Sequence, residues 1–268
     1  MLLGLFYWEE EKLSDVNIAL LKNMVYLFFE PRTRRMKAVI IAAGNGRRLR
    51  PFTEGIPKPL APLGGVPLIE RIVLSGKEAG IKEFLVVLGY LGDKLKEGLG
   101  DGKKHGVRID YVKNREWERA NGVSVYKARK VLKENFILLM ADHIFNPQRL
   151  SAFKDSEIGA RECTLCVDYN IDSFFDNDDA TKVLVENGRI RFVGKDLKKY
   201  NAVDTGMFLC SPYIFEVLQE NISKDRCSLS ESIQTLADQD LMKAYDIKGS
   251  LWFDLDTKED FEKAESLI

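Results

Sequence analysis

The stretch MKAVIIAAGNGRRLRPFTEGIPKPL, residues 36–60, carries the strongest signal for the fold of this chain. Lys37 to Ala43 is a largely apolar run of strand length, which is typical of a parallel strand that helices cover on both faces. Gly44 and Gly46 follow, and they allow a sharp turn whose N–H groups approach an anion closely. Four basic residues then add positive charge: Arg47, Arg48, Arg50 and Lys58. The stretch predicts a phosphate-binding turn at the end of a strand in an α/β sheet.

Dinucleotide-binding folds also carry a G-x-G turn, but two features argue against that class. Their motif has a third glycine where this chain has Leu49. Their second strand ends in an acidic residue that binds a ribose hydroxyl, whereas the second predicted strand here, Phe84 to Leu88, is followed by Gly89 and Tyr90. The sequence also lacks a G-x-x-x-x-G-K-[ST] phosphate loop.

Two linked motifs lie in the same stretch. Residues 42–51 read A-A-G-N-G-R-R-L-R-P, and residues 57–60 read P-K-P-L. Together they resemble the signature of the sugar-phosphate nucleotidyltransferases, A-A-G-x-G-x-R-L-x-P followed by P-K-P-L. The resemblance continues in order through four further segments: Val86–Tyr90, Asn121–Ser124, Leu139–His143 and Trp252–Thr257. It therefore covers nearly all of residues 36–268.

The resemblance implies a Rossmann-like, three-layer α/β fold with a mixed, mostly parallel central sheet and a small β-rich acceptor flap. Strand-like and helix-like runs alternate as far as Leu150 without a linker, as this fold requires. Three strand-like runs then predict the flap: Arg161 to Tyr169, Thr181 to Glu186 and Arg189 to Val193. Asn187-Gly188 predicts a hairpin turn between the last two. We expect one nucleotidyltransferase domain over residues 36–268.

The expected reaction places a metal at the carboxyl end of another strand. In nucleotidyl transfer a phosphate oxygen attacks the α-phosphorus of a nucleoside triphosphate, so catalysis depends on positioning and on neutralising charge. Phe136 to Ala141 predicts a second buried strand, and Asp142 follows it at the sheet edge where ligands bind. A carboxylate there suits Mg²⁺. In the family this aspartate and one from a W-x-D segment bind the metal. The second aspartate maps to Asp254. Asp256 stays open as the alternative ligand, because in an extended segment it lies on the same face as Asp254.

Structural explanations stay open for these side chains. Asp142 would serve as a turn residue or N-cap before a helix near Pro147, and Asp256 would begin the last helix, Lys258 to Leu267. His143 has no matching set of ligands in the sequence, so we expect it to be structural or to support a neighbouring group. His105 lies in a polar loop and is expected to be inert.

The resemblance also implies roles in nucleotide binding. Arg48 corresponds to the arginine that contacts the triphosphate and Lys58 to the lysine beside the α-phosphate, and both would stabilise the transition state. The nucleotide site would include the motif residues Ala42, Ala43, Gly44, Asn45, Gly46 and Arg47, together with Gly89, Asn121, Gly122 and Ser124. Asn121 has two open explanations, since it would bind a pyrimidine edge or cap a helix from Val123 to Leu132.

For the acceptor, Lys182 resembles the lysine that holds the phosphate, and Asp204 and Thr205 fall where the family places groups that face hydroxyls. Enzymes that use UTP or dTTP usually have G-D and G-T-A-x-A, whereas this chain has Ala141-Asp142 and Asn121-Gly122. The combination of N-G-x-S, A-D-H-I and W-x-D-x-D-T looks most like the CTP:inositol-1-phosphate cytidylyltransferases, which form CDP-inositol and pyrophosphate for phospholipid or compatible-solute synthesis. The resemblance therefore implies CTP and inositol-1-phosphate as substrates.

Two other functions stay open. The first is a nucleotidyltransferase with another acceptor, either phosphocholine or a different sugar phosphate. A phosphocholine cytidylyltransferase would surround a quaternary ammonium with aromatic and acidic residues, for which Trp117, Tyr200 and Asp204 are candidates. A catalytically inactive, nucleotide-binding regulatory subunit is the alternative of another class. The presence of Lys58 and Asp142 argues against it, because such a subunit would be expected to lose a metal ligand or the lysine.

Composition limits location and partners. The formal net charge of −1 gives no overall basic field, so nucleic acid is not expected as a partner. Four cysteines in a chain of this length are too few for a disulfide framework, and without an evident signal peptide we expect the cytoplasm. Cys163 and Cys166 form a C-x-x-C inside a predicted strand, where ordinary packing explains them.

Residues 1–35 lie outside the resemblance and form an N-terminal extension. Ser14 would cap a helix from Asp15 to Phe29, which is too short and interrupted to span a bilayer. We expect it to pack on the parent domain or on a homodimer partner, with a membrane surface or another partner as the alternative. Many relatives are fused to a membrane synthase. No such segment follows Ile268, so we expect that enzyme on a separate chain.

Overall fold

The computed structural model describes residues 36–49, 53, 55–171 and 180–267. From Met36 onward they belong to one compact unit. Three features of the sequence lie outside the described residues: the expected N-terminal helix, Arg50–Pro51 of the first motif, and Ile268. No helix among the described residues is long and apolar enough to cross a membrane.

The described strands, in chain order, are β1 (Lys37–Ala42), β2 (Pro62–Leu63), β3 (Val66–Pro67), β4 (Glu83–Leu88), β5 (Arg108–Lys113), β6 (Phe136–Met140), β7 (His143–Phe145), β8 (Cys163–Asp168), β9 (Lys182–Glu186), β10 (Arg189–Gly194), β11 (Ala202–Cys210), β12 (Met242–Asp246) and β13 (Trp252–Asp254). The α-helices are α1 (Leu68–Glu78), α2 (Gly92–Leu99), α3 (Asn121–Lys127), α4 (Pro147–Lys154), α5 (Ile214–Ser223), α6 (Leu229–Asp238) and α7 (Lys258–Glu265).

A nine-stranded sheet organises the molecule in the order β5-β4-β1-β6-β11-β8-β12-β10-β9. β1 lies parallel to both β4 and β6, with Ala42 opposite Leu88 and Ile41 opposite Met140. The carboxyl ends of these three strands therefore meet at one edge of the sheet, which is where ligands bind in open α/β sheets. The glycine-rich turn and Asp142 both follow at that edge.

The sheet is mixed, as expected, but the parallel arrangement holds mainly for its first half. Beyond β6 the pairings are antiparallel except that of β8 with β12. The predicted flap strands β9 and β10 belong to the same sheet, and β9 also returns to pair with β11 through Lys182 and Val183. The flap is thus a curled continuation of the sheet. The predicted hairpin turn is confirmed, since Asn187 and Gly188 have φ values of 52° and 72°.

Helices cover both faces of the sheet, which gives the expected three layers. Along β1 the side chains alternate, so that Ala38 and Ile40 enter one apolar core while Val39 and Ile41 enter the other. The first core is shared with α1, α2, α4 and α7, and the second with α3, α5 and α6. A strand apolar on both faces is the reason that Lys37 to Ala43 reads as a continuous hydrophobic run.

Two helix starts differ from the predictions. The helix expected from Val123 to Leu132 begins at Asn121 and ends at Lys127, and its N-cap is Ala120 with no side-chain bond. The N-cap of α4 is Asn146 rather than Asp142, which leaves Asp142 for other contacts. The last helix begins at Lys258, as predicted, and ends at Glu265 instead of Leu267. Its N-cap is Thr257, in a capping box with Asp260, and not Asp256.

Candidate active site

Two cavities meet at the carboxyl edge of the sheet. The first, of about 290 Å³, is lined by the glycine-rich turn, Lys58 and the end of β6. The second, of about 470 Å³, lies among β11, β13, α6 and α7 and is lined in part by Asp204, Trp252 and Ile233. Three residues line both: Arg48, Asp142 and Asp256. A ligand in each cavity would therefore meet its neighbour at these side chains.

The glycine-rich turn lines the first cavity with its backbone. Gly46 has φ +57°, and a Cβ there would lie 2.7 Å from Cβ of Lys58, so the turn needs glycine for both conformation and space. A Cβ on Gly44 would meet nothing within 4 Å, which leaves open space for a ligand close to that backbone. Lys58 begins a 3₁₀ turn, Lys58–Leu60, directly after Pro57.

Lys58 and Arg48 form an ion-pair network with two aspartates. The Nζ of Lys58 donates to Asp142 Oδ2 at 3.1 Å and to Asp256 Oδ1 at 2.6 Å. Nη2 of Arg48 lies 2.5 Å from Asp256 Oδ2. The Lys58 side chain is 7% exposed, so its charge acts in a region of low dielectric where it interacts strongly.

The pKa values of this network follow from its charges. Burial disfavours the ammonium form of Lys58, but Asp142, Asp256 and Asp254 outweigh it and hold the pKa of Lys58 above its usual value. Burial would raise the pKa of Asp142, whereas attraction to Lys58 and His143 holds that pKa well below its usual range. Lys58 is therefore a cation, and Asp142 an anion, at neutral pH.

A short ribbon brings a second carboxylate to Asp142. β7 pairs antiparallel with β13, which places Asp254 opposite His143. Nδ1 of His143 lies 2.9 Å from Asp142 Oδ1, and Nε2 lies 3.8 Å from Asp254 Oδ2. Burial would lower the pKa of His143, but Asp254, Asp142 and Asp204 raise it to about 9. Burial raises the pKa of Asp254 to about 6, against the attraction of His143.

The ribbon assembles donors that could hold a divalent ion. One ligand atom each from Asp142, His143 and Asp254 lies within 4.8 Å of the others. Two carboxylates suit Mg²⁺, which prefers oxygen ligands. The second carboxylate reaches His143 from a strand more than a hundred residues away in the sequence. His143 therefore lies between two carboxylates, where it would support neighbouring groups, as expected from the sequence, and that role stays a prediction. Asp142 and Asp256 also converge, on the Lys58 ammonium, so Asp256 stays an alternative ligand.

The predicted base wall is arranged differently from the expectation. Oδ1 of Asn121 accepts from the backbone N–H of Leu229 at 2.9 Å, so it binds the first turn of α6, whose N-cap is Ser228, and does not cap α3. Asn121 also lines the second cavity. A Cβ on Gly122 would lie 2.6 Å from the Cys227 carbonyl oxygen, so this glycine allows contact between α3 and the start of α6. The buried Ser124 hydroxyl accepts from Asn114 at 2.9 Å.

Two other predicted nucleotide residues are closely packed. Ala43 is buried, and its carbonyl accepts from the N–H of Tyr90 at 3.0 Å. A Cβ on Gly89 would lie 2.4 Å from that carbonyl oxygen, so glycine is needed where β4 meets the end of β1. Ala42, Asn45 and Arg47 line the first cavity.

The predicted acceptor residues are only partly brought together. Asp204 lines the second cavity, and its Oδ1 accepts from Gly206 N at 2.7 Å. Burial raises the pKa of Asp204 to about 6. Thr205 is fully buried and donates to the Cys166 carbonyl at 3.0 Å, so it does not face the cavity. Among the described residues that line this cavity the lysines are Lys195 and Lys263, and Lys182 is not one of them.

Sequence reasoning missed several residues of the second cavity. The ammonium of Lys182 lies 5.6 Å from the centre of the Tyr200 ring, while Lys195, directly after β10, reaches the cavity. Asp168 lies at the end of β8, where the carboxyl-edge rule that identified Asp142 would have found it. Trp252 was noted only as part of a motif.

The remaining histidine and cysteine predictions concern residues outside both cavities. His105 is buried, with Nε2 3.6 Å from Glu70 Oε1, and burial lowers its pKa. Cys163 and Cys166 are free, buried residues of β8, in agreement with a packing role.

Comparisons with known proteins point to one family. A sequence model described as nucleotidyl transferase matches residues 37–268. A bifunctional IPC transferase and DIPP synthase of Aquifex aeolicus is 34% identical over 233 residues, 86% of this chain and 51% of that protein. The protein of that name from Archaeoglobus fulgidus is 34% identical over 242 residues, 90% of this chain and 45% of its own. The chain thus spans about half the length of these relatives.

A solved structure resembles the whole described unit. The inositol-1-phosphate CTP transferase from T. maritima has a TM-score of 0.77 and 29% sequence identity to this chain. The match covers 87% of this chain and 95% of that one.

Proposed function

This chain belongs to the nucleotidyl transferase family, and we propose that it transfers a cytidylyl group from CTP to inositol-1-phosphate, giving CDP-inositol and pyrophosphate. The observation that carries the proposal is the meeting of two cavities at Arg48, Asp142 and Asp256. A nucleoside triphosphate in the glycine-rich cavity and a phosphorylated acceptor in the other would bring their phosphates together at these charged side chains.

In this proposal the reaction needs positioning and charge neutralisation rather than a protein nucleophile. The phosphate oxygen of the acceptor attacks the α-phosphorus in line, and the bond to the β-phosphate oxygen breaks as pyrophosphate leaves. Negative charge builds on the oxygens around the α-phosphorus. Lys58 and Arg48 supply fixed positive charge there, because they already face the junction of the cavities.

We assign the metal site to Asp142 and Asp254, with Mg²⁺ as the ion. When bound, Mg²⁺ would neutralise phosphate charge and orient the triphosphate. His143 lies between the two carboxylates and would hold them in place. The Asp256 carboxylate forms ion pairs with Lys58 and Arg48. When a triphosphate binds, its oxygens would replace this carboxylate as the partners of the two cations.

The choice between Asp254 and Asp256 can be tested by metal titration. Mn²⁺, which reports its binding by electron paramagnetic resonance, would be titrated into Asp254→Asn and Asp256→Asn in the presence of CTP. We expect the Asp254 variant to lose about tenfold or more in affinity, because a direct carboxylate ligand becomes a neutral amide. A larger loss in the Asp256 variant would transfer the assignment to that residue.

The acceptor proposal rests on the relatives and on the second cavity. The T. maritima structure is titled an inositol-1-phosphate CTP transferase, and this cavity offers carboxylates to hydroxyls and Lys195 to a phosphate. Of the aromatic residues considered for a quaternary ammonium, Trp117 and Tyr200 do not line it. The preference for inositol-1-phosphate over phosphocholine therefore rests on the named relatives.

Two further expectations remain proposals. The bifunctional relatives carry a DIPP synthase name, so we propose that the product of this chain is passed to such a synthase. The cytoplasm remains the proposed location, because the four cysteines are free and buried.

The deciding experiment is pyrophosphate release with Mg²⁺, in which five nucleoside triphosphates are each paired with inositol-1-phosphate, phosphocholine or glucose-1-phosphate. The expected result is turnover with CTP and inositol-1-phosphate. Turnover with another pair would replace the substrates. Silence with every pair, in a chain that still binds CTP, would favour the inactive regulatory subunit.

A further inference from the structure

The His143 imidazole lies in a closely fitting slot. Its ring stacks on Trp252, with ring centres 5.9 Å apart and planes 11° from parallel. Gly206 borders it as well, because a Cβ there would lie 2.5 Å from His143 Cδ2. Gly206 has φ +74°, at a place where the pairing of β11 with β8 shifts register. The fold thus uses a bulge and a glycine to admit this ring.

Asp168 fixes the other wall of the slot. Nε1 of Trp252 donates to Asp168 Oδ2 at 3.0 Å, and the N–H of Asn170 donates to Asp168 Oδ1 at 2.9 Å. Asp168 is 5% exposed and Trp252 is 8% exposed. A buried carboxylate whose two oxygens both accept has a defined orientation, and it transmits that orientation to the indole ring.

We propose that Asp168 is a positioning residue, which acts through Trp252 to hold His143 between the Asp142 and Asp254 carboxylates. The inference rests on the proposed function in one respect: it takes from it that the Asp142 and Asp254 carboxylates take part in the reaction. Asp168 lines the second cavity, but each of its carboxylate oxygens already accepts a hydrogen bond from a protein N–H. The proposal therefore predicts that a change at Asp168 affects turnover more than acceptor binding.

The kinetic test is a double-mutant cycle of Asp168→Asn and Trp252→Phe. An amide has one acceptor oxygen, so Asp168→Asn can no longer accept from both N–H donors. If its oxygen stays on the neighbouring Asn170 N–H, the NH₂ group opposes the indole N–H and tilts the ring. Trp252→Phe keeps a stacking ring but removes the N–H donor. We expect Asp168→Asn to lower kcat about tenfold while both KM values change less than about twofold. Because the second change removes the donor that the amide opposes, the double variant should be no slower than Asp168→Asn alone.

Two kinetic outcomes would overturn the proposal. Multiplicative losses in the double variant would mean that Asp168 does not act through Trp252. A raised acceptor KM with unchanged kcat would make Asp168 an acceptor contact. The assay uses whichever substrate pair the wild-type chain turns over. If that pair is not CTP and inositol-1-phosphate, the proposed function changes, but the proposal about Asp168 can still be tested.

A spectroscopic test needs no substrate. The chain contains two histidines, so histidine-labelled protein gives two sets of imidazole NMR signals. Asp168→Asn should shift the His143 signals and leave those of His105 in place, and unmoved His143 signals would refute the proposal. Ser232→Ala is the matched control, because Ser232 is buried, accepts from Asn221 at 3.2 Å and lines neither cavity. It should lower stability without moving His143 or kcat.

Discussion

At the scale of the residue, Lys58 is the point where the charges of the site meet. It contacts Asp142 and Asp256, and its side chain is 7% exposed. The P-K-P-L motif identified this lysine, but not its partners, since they follow it by 84 and 198 residues. A buried cation with two carboxylates has a defined position, which is what a group that stabilises a transition state needs.

We predict that Lys58→Ala and Asp142→Ala each lower kcat at least about a hundredfold, because each removes fixed charge at the reacting phosphates. Steady-state pyrophosphate release would measure this, with circular dichroism to show that the chain is folded. Lys154→Ala is the control, since Lys154 pairs with Asp155 at 2.7 Å and lines neither cavity. Near-normal turnover in either site variant would contradict the catalytic assignment.

Lys195, which lines the second cavity, and Lys182, which the sequence resemblance suggested as the acceptor lysine, give a second prediction. Lys195→Ala should raise the KM for the acceptor about tenfold or more, the loss expected when a charged hydrogen bond to phosphate is removed. Lys182→Ala should leave that KM nearly unchanged, because Lys182 lies over Tyr200 and outside the cavity. The reverse result would restore the assignment made from the sequence resemblance.

Asp204 gives a prediction about pH. In the folded state burial raises the pKa of Asp204 from 3.8 to about 6. Ionisation of Asp204 at neutral pH therefore lowers the stability of the folded state. Below pH 3.8 the carboxyl is protonated in both states, so this cost disappears. Asp204→Asn removes this cost and keeps an oxygen for the Gly206 N–H. The variant should gain stability over wild type as pH rises from 4 to 7, by up to about 3 kcal/mol. Thermal unfolding across that pH range would show it, and a difference independent of pH would contradict it.

At the scale of the element, the glycine-rich turn was predicted more completely than the short ribbon. The turn follows β1 directly, so its position depends on local sequence. The ribbon of β7 and β13 pairs His143 with Asp254, and each strand has three residues. Strands this short carry little hydrophobic pattern, so their pairing cannot be read from the sequence.

Gly46 tests the turn. Gly46→Ala should lower kcat about tenfold or more, because its Cβ would displace Lys58 from the phosphates. Gly65→Ala is the matched control, since Gly65 also has positive φ but a Cβ there meets nothing within 4 Å. Both variants should lose about 1–2 kcal/mol from left-handed backbone strain. Equal kcat values for the two, measured below their unfolding temperatures, would contradict the role of the close contact.

At the scale of the whole molecule, the sheet joins the nucleotide half and the acceptor half. β6 pairs with β1 on one side and with β11 on the other. β11 carries Asp204 and Gly206 toward the second cavity, while β1 leads to the first. One continuous sheet therefore sets the distance between the two cavities in which the substrates are proposed to bind.

We predict that a shortened chain of residues 36–268 keeps the kcat and KM values of the full chain. The described residues from Met36 onward form one compact unit, and both cavities are lined by them. Parallel kinetics of the two proteins would test this. A loss of more than about tenfold in kcat/KM would show that residues 1–35 contribute to the site.

Motifs and hydrophobic patterns were sufficient to identify the family, the α/β class, the glycine-rich turn, and Lys58 and Asp142 as site residues. Those features are set by short motifs and by buried strands, whose signals lie within a few residues of each other. Other contacts are visible only in the folded chain: His143 faces Asp254, Lys195 reaches the second cavity while Lys182 does not, and Asp168 accepts a hydrogen bond from Trp252. The reason is that these contacts depend on the pairing of distant strands and on the curl that returns β9 to β11. A local pattern gives the alternation of side chains along a strand, but the path of the sheet decides which face meets the ligand.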